Sequence, residues 1–303
     1  MSKIKYLFQE LRAPFFTASI LPVLLGTAIA YYHTREINWF YFLLALIGGV
    51  SLHAGTNIAN DYFDHLSGND EANTEYIRPF SGGSRLIQGG QLKPLEVLGE
   101  ALFFFAIGSV IGLYFLYIFG WKIFWIGAVG LFSAAFYTAP PFKLGYRGIG
   151  EFIVGINFGT LMVLGSYLVQ TGNYSIEAIV ASIAVTILIA AVLFINEFPD
   201  YKADKAVNKR HLVVLLGREK AVYGYMLMIL AAYLSVLFGV IYYAMPIYCL
   251  AVLLTAPLAV QAMMVAKKYY NDPIRMVPAN GITIALHALF GVILIISYMV
   301  GSR

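Results

Sequence analysis

Nine stretches of apolar residues, each close to the roughly 20 helical residues that cross a bilayer core about 30 Å thick, limit what this chain can fold into. They cover about 15–31, 38–60, 95–119, 122–138, 150–169, 176–197, 219–240, 246–266 and 279–300. An isolated span must satisfy its own backbone hydrogen bonds, so each is expected to be a helix. A transmembrane barrel would instead show short strands of alternating polarity. Only 12% of the 303 residues are charged, about half the share of a soluble domain. A water-soluble globular enzyme is thereby excluded, and 60% hydrophobic residues exclude disorder. The expected fold is an all-α multi-pass membrane protein with nine transmembrane helices. Residues 2–12 (SKIKYLFQELR) read as an amphipathic helix at the membrane interface. Glu10, Arg12 and Pro14 argue against a cleaved signal segment.

The charges are distributed unevenly. Alternating the loops across the membrane places all but Arg35, Lys122 and Arg303 of the 20 basic residues on the side of the N-terminus. By the positive-inside rule that side is cytoplasmic, and nine spans put the C-terminus outside. All but Glu36 and Glu177 of the 16 acids lie on the same side, although acids contribute little to topology. Their crowding points to a polar site in the two long loops there, near 61–94 and 198–218. A net charge of +4 without a basic block gives no sign of nucleic-acid binding. The single cysteine, Cys249, rules out an intrachain disulfide and a cysteine-based zinc site.

Two acidic clusters end two of the apolar runs. In the first, with Asn57 at zero and about 100° per residue, Asp61 falls near 40°, Asp64 near −20° and Asn60 near −60°, all on one helix face. In the second, Asn196, Asp200 and Asp204 are spaced i, i+4, i+8, again on one face, although Pro199 between them is expected to kink the helix. Both clusters have the form Asn-x-x-x-Asp, which suggests an internal duplication of four-helix units within one domain over 1–303. Uncompensated acids at a membrane boundary are costly. Oxygen ligands of this kind suit Mg²⁺, which binds through a few carboxylates, phosphate oxygens and water. A diphosphate bridged by Mg²⁺ would join the clusters, with Arg78, Arg85, Lys143, Arg147, Lys202, Lys209 and Arg210 completing an anion site. The glycine-rich Ser81-Gly-Gly-Ser84-Arg85 is either a phosphate cradle or a structural turn. The rival reading is a transporter, whose polar groups gather nearer the bilayer midplane.

On these residues the sequence resembles the UbiA superfamily of intramembrane prenyltransferases, and among them the 1,4-dihydroxy-2-naphthoate polyprenyltransferases of menaquinone biosynthesis. The resemblance rests on NxANDYFDxxxGxD at 57–70, GGSRLIQGG at 82–90, YTAPPFKLGYRGIGE at 137–151 and NEFPDYKADKAVNKRHLVVLLG at 196–217. It implies helices around a central cavity with a cytoplasmic cap, Mg²⁺ as cofactor, and a polyprenyl diphosphate and an aromatic acceptor as substrates in the lipid bilayer. Asp61, Asp64, Asp200 and Asp204 would be catalytic and, with Asn57, metal ligands. Asn60, Tyr62, Tyr137 and Asn196 would join Asn57 and the seven basic residues in binding substrate. Tyr62 and Tyr137 are the aromatic residues expected in the cavity. The chain departs from the naphthoate pattern at Asn196-Glu-Phe-Pro-Asp200, where many such enzymes have Asn-Asn-x-Arg-Asp, and at His211, where they often have Thr. Homogentisate, hydroxybenzoate or a glycerol-phosphate lipid precursor stand as alternative acceptors.

Overall fold

In the computed structural model, residues 3–301 are described; Ser2 of the expected interfacial helix and the C-terminal Arg303 lie outside them. Every regular element among the described residues is a helix. It runs as α1 (Lys3–Glu10), α2 (Thr17–Thr34), α3 (Trp39–Leu66), the short α4 (Asn69–Ala72), α5 (Pro94–Phe119), α6 (Trp121–Ala135) and α7 (Gly150–Ile156). It continues through α8 (Met162–Thr171), α9 (Ile176–Ala206), the short α10 (Leu212–Leu216), α11 (Arg218–Tyr242), α12 (Ala256–Tyr269) and α13 (Pro273–Val300).

Among the described residues, eight helical stretches are long and apolar enough to cross a membrane. They account for eight of the nine runs. The remaining run, 122–138, yields only the 15 residues of α6, about 22 Å at 1.5 Å per residue. It stops early because Pro140 and Pro141 follow, and a residue preceding proline is driven out of the helical region. α7 and α8 form one crossing through a π turn at Asn157–Leu161.

Lipid supplies no hydrophobic force between helices, so close approach through small residues holds such bundles together. A Cβ on Gly26 of α2 would lie 2.3 Å from the Val163 carbonyl oxygen of α8. A Cβ on Gly159 would lie 2.2 Å from Thr186 Oγ1 of α9. Hydrogen bonds reinforce these contacts: Ser166 Oγ reaches the Val23 carbonyl at 2.8 Å, and Thr160 and Thr186 hydroxyls meet at 2.9 Å. The largest buried cluster lies among α2, α8, α9, α11, α12 and α13. A second joins α3, the 86–92 loop and α5.

Pro199 does not break α9, which runs from Ile176 to Ala206 around it. Proline removes the N–H that would have bonded to the carbonyl four residues earlier. That carbonyl, of Ile195, instead accepts from Asn280 Nδ2 of α13 at 3.0 Å. Arg218 of α11 donates to the Phe198 carbonyl through Nη2 at 2.8 Å and Nε at 3.0 Å. The second acidic face therefore stays on one continuous helix. At the N-terminus, α1 is amphipathic as expected: Tyr6 and Leu7 pack on the second cluster while Ile4 and Phe8 are exposed. Its last residue, Glu10, is fully buried, which an interfacial helix alone would not require.

Candidate active site

The C-terminal ends of α3 and α9 meet at one end of the bundle, and Lys209 sits between them. Its Nζ donates to Asp64 Oδ2 at 3.0 Å and lies 3.7 Å from Asp204 Oδ1. One ammonium thus joins the two acidic faces. Burial alone would lower the lysine pKa, but the charges of Asp204 and Asp64 carry it well above its ordinary value. Asp64 also accepts from Asn60 Nδ2 and from the Tyr146 hydroxyl, both at 3.0 Å. Burial, and then the Asp64 charge, push the Tyr146 phenol up to about 12, so it stays a donor.

Two further cross-links come from α4 and the residue that ends it. Asn69 Nδ2 donates to Asp204 Oδ1 at 2.8 Å, and Asn73 Nδ2 donates to Asp200 Oδ1 at 2.6 Å. Asp61 is held separately: its Oδ2 accepts the Ser84 N–H at 2.7 Å. The Gly82–Gly83 turn makes that possible. Both glycines have positive φ, 75° and 68°, and a Cβ on Gly83 would lie 2.8 Å from Asp61 Oδ1. Asp61 Oδ1 is buried without a hydrogen-bond partner among the described residues, with Arg12 Nη1 3.8 Å away. Asp70 is also buried here; burial, then the charges of Asp61 and Asp64, raise its carboxyl to about 8.

Below these carboxylates lies a cavity of about 170 Å³ lined by Arg12, His53, Asn57, Asn60, Tyr137 and Asn196, with Phe158 among its apolar residues. Tyr137 fits because Gly145 and Gly150 leave room: a Cβ on either would come within 2.9 Å and 3.1 Å of its ring or hydroxyl. Thr56 and Phe158 also line a second, apolar cavity of about 150 Å³ among α2, α3, α5, α6 and α8. Seven glycines line that channel, including Gly49, Gly112, Gly130 and Gly165.

The expected basic residues divide. Lys209 is at the centre. Arg85 stacks over Tyr76 at 4.0 Å and donates to the carbonyls of Asp70 and Asn73, so it orders the loop beside the carboxylates. Lys143 lies 5.2 Å over the Tyr146 ring. Lys202 pairs with Glu75, and Arg147 is tied to the Phe142 and Pro141 carbonyls. Arg78 and Arg210 are exposed; Arg78 lines a separate open basin with Tyr6 and Gln88. Tyr62 points away from the cavity, pairing with Phe63 and packing on the α3–α5 cluster. Five places after Asn57, it falls about 140° around the helix, about 100° from Asp61 and about 160° from Asp64. Arg12, Asn69, Asn73 and Tyr146 belong to the site without having been expected there. Only the i, i+4 spacing of Asn69 and Asn73 offered a signal.

The UbiA prenyltransferase family matches residues 19–286. The chain belongs to the UbiA prenyltransferase family. It is an intramembrane prenyltransferase. A 1,4-dihydroxy-2-naphthoate octaprenyltransferase of Bacillus subtilis is 30% identical over 296 residues, covering 97% of this chain and 92% of that protein. The Mycobacterium tuberculosis protein of the same name is 33% identical over 247 residues, 80% of each chain. The solved structure of a UbiA homologue from Archaeoglobus fulgidus bound to DMAPP and Mg²⁺ superposes with a TM-score of 0.66 at 15% identity, over 95% of this chain and 98% of that one. At that identity the likeness concerns the fold, and it places this UbiA-family chain among helical bundles of the same architecture.

The bridging lysine gives a test within the family framework. Removing one partner of a buried ion pair leaves uncompensated charge and costs about 3–5 kcal/mol. Lys209→Met is therefore expected to lower the thermal midpoint in Mg²⁺-free detergent by roughly 5 °C or more. Added Mg²⁺ should stabilise the variant more than the wild type. Equal midpoints for the two proteins without Mg²⁺, in a thermal-shift series, would remove Lys209 from this role.

Proposed function

We propose that the chain transfers a polyprenyl group from a polyprenyl diphosphate to 1,4-dihydroxy-2-naphthoate, a step of menaquinone biosynthesis. The observation that carries this reading is the meeting of two Asn-Asp faces across one lysine, above a cavity that adjoins an apolar channel. A charged head and a greasy tail are thereby accommodated side by side. The choice of acceptor follows the names of the relatives.

The donor set fits Mg²⁺. Asp61, Asp64, Asp200 and Asp204 offer only hard oxygen atoms, with Asn57 at the cavity rim. Asp61 Oδ1 is buried and unpartnered among the described residues, an orphan that a cation would satisfy. When bound, Mg²⁺ offsets the negative charge that develops on the departing diphosphate. Lys209, already charged and buried, complements the same anion. The walls around Phe158, Tyr137 and His53 exclude water from the allylic carbon, and their ring faces favour its positive charge. The carbon–oxygen bond of the donor breaks, and its electron pair stays with diphosphate. Electrons of the naphthoate ring form the new carbon–carbon bond, and the carboxylate leaves as CO₂, its bonding pair restoring the aromatic ring. The glycine-lined channel takes the isoprene units beyond the first.

Purified protein supplied with radiolabelled polyprenyl diphosphate, Mg²⁺ and a panel of acceptors tests the proposal. Product is expected with the naphthoate and not with homogentisate, hydroxybenzoate or a glycerol phosphate. Turnover restricted to another acceptor would overturn the assignment.

The site and the N-terminus face the cytoplasm in this proposal, and the C-terminus faces out. Cys249 is buried, so it gives little background for thiol labelling. A single cysteine at exposed Thr74 should react with an impermeant reagent only after cells are opened, whereas one at exposed Tyr174 should react in intact cells.

A further inference from the structure

A second group of ligand-type side chains lies beside the acidic faces and is used by none of the steps above. Glu151 stands in the first turn of α7, Glu197 on α9, and His211 caps α10. All three are at least nine-tenths buried. One ligand atom from each lies within 4.8 Å of the other two. Glu151 Oε1 accepts the Leu212 N–H, but Glu151 Oε2 and Glu197 Oε2 have no hydrogen-bond partner among the described residues. Two unpartnered carboxylate oxygens in so buried a place are costly unless something positive lies between them.

The histidine is oriented for that role. Its Nε2 faces Asp204 Oδ2 at 2.9 Å, which places the proton on Nε2 and the lone pair on Nδ1, where the Val214 N–H approaches only to a long 3.4 Å. A metal-bound histidine commonly gives its other N–H to a carboxylate in this way. Nδ1 lies 3.3 Å from Glu197 Oε2. Two lone pairs at that distance repel unless a proton or a cation lies between them. A tetrahedral ion with bonds of about 2.0–2.1 Å holds neighbouring ligands roughly 3.3–3.5 Å apart. Glu197 and His211 are two of the three positions, Pro199 being the other, at which the sequence departs from the naphthoate pattern, and the fold brings these two together.

We infer that Glu151, Glu197 and His211 form a binding site for a divalent transition-metal ion, separate from the Asp-rich faces, that clips α7, α9 and α10 together. One imidazole and two carboxylates favour a borderline ion such as Zn²⁺ over Mg²⁺. The ion is a structural clip, and it leaves the all-oxygen faces to Mg²⁺.

Zinc itself is the probe. Protein freed of metals is dialysed against Zn²⁺ with excess Mg²⁺, in a His65→Gln background that removes the exposed His65–Glu71 pair. One zinc per chain is expected, with a single imidazole nitrogen in its X-ray absorption spectrum. Glu197→Gln and His211→Gln should each weaken zinc binding tenfold or more, whereas Asp61→Asn should not. Failure to retain zinc against Mg²⁺, absence of the imidazole signature, or unchanged affinity in both variants would overturn the site and leave two carboxyl groups sharing a proton. The spectrum of the unsubstituted site decides the matter even if a variant fails to fold. Because the readout is metal content, its failure is distinct from failure of the transfer assay.

Discussion

Asp61→Ala and Asp200→Ala are each expected to slow prenyl transfer by about 10²- to 10³-fold or more, the usual scale for removing one preorganised electrostatic partner from an active site, while leaving the bundle folded. The two residues come from different helices and are held by different donors, Ser84 N–H for Asp61 and Asn73 Nδ2 for Asp200. Neither carries the lysine bridge, which runs through Asp64 and Asp204. Each substitution thus removes a carboxylate without severing the contact that joins the two faces. The measurement is single-turnover transfer over a Mg²⁺ titration, with circular dichroism to verify folding. Wild-type turnover in either variant would take that carboxylate out of the metal set.

The second large effect concerns the tail. Gly112 and Gly130 line the apolar channel. A Cβ at Gly112 meets no atom within 4 Å, and one at Gly130 meets only Asn157 Oδ1, at 3.8 Å. Larger side chains can therefore enter the channel without displacing backbone. Gly130→Leu or Gly112→Phe should fill the space that an isoprene chain would occupy. Each buried methylene contributes about 0.8 kcal/mol, so denying a five-carbon unit its place is expected to cost on the order of 10³-fold in kcat/KM. The loss should fall on long donors, with dimethylallyl diphosphate affected less than about threefold, since it reaches no further than the cavity beneath the carboxylates. An equal loss for short and long donors would mean that the tail leaves by another route.

The helices were legible because hydrocarbon permits so few alternatives, and length was read well except in α6, where two following prolines end the helix before the apolar residues do. The first acidic face was legible because Asn57, Asn60, Asp61 and Asp64 share one stretch of helix, so their relative angles follow from the spacing alone. The same arithmetic turns Tyr62 about 100° or more away from that face. What stayed hidden were contacts between residues distant in sequence: Lys209 with Asp64, Asn73 with Asp200, and Arg12 beside Asp61. A helical wheel carries no information about which loop residue folds back onto which helix. The basic residues show the limit clearly. Seven were equivalent as charges, but the chain's path puts Lys209 at the centre, spends Lys202 on Glu75, and leaves Arg78 at an outer basin.

The hydrogen bond from Asn280 to the Ile195 carbonyl bears on how the protein is made. Pro199 leaves that carbonyl without a donor from its own helix, and the donor that replaces it lies 85 residues later, on the last span. A ribosome inserting the chain into a bilayer finishes α9 well before α13 exists. During that interval the second acidic helix carries a carbonyl without its donor, five residues before Asp200. The site is therefore completed last, by a segment that contributes no ligand to it. A chain released before its final span would present both acidic motifs and still lack the brace that keeps the second one straight.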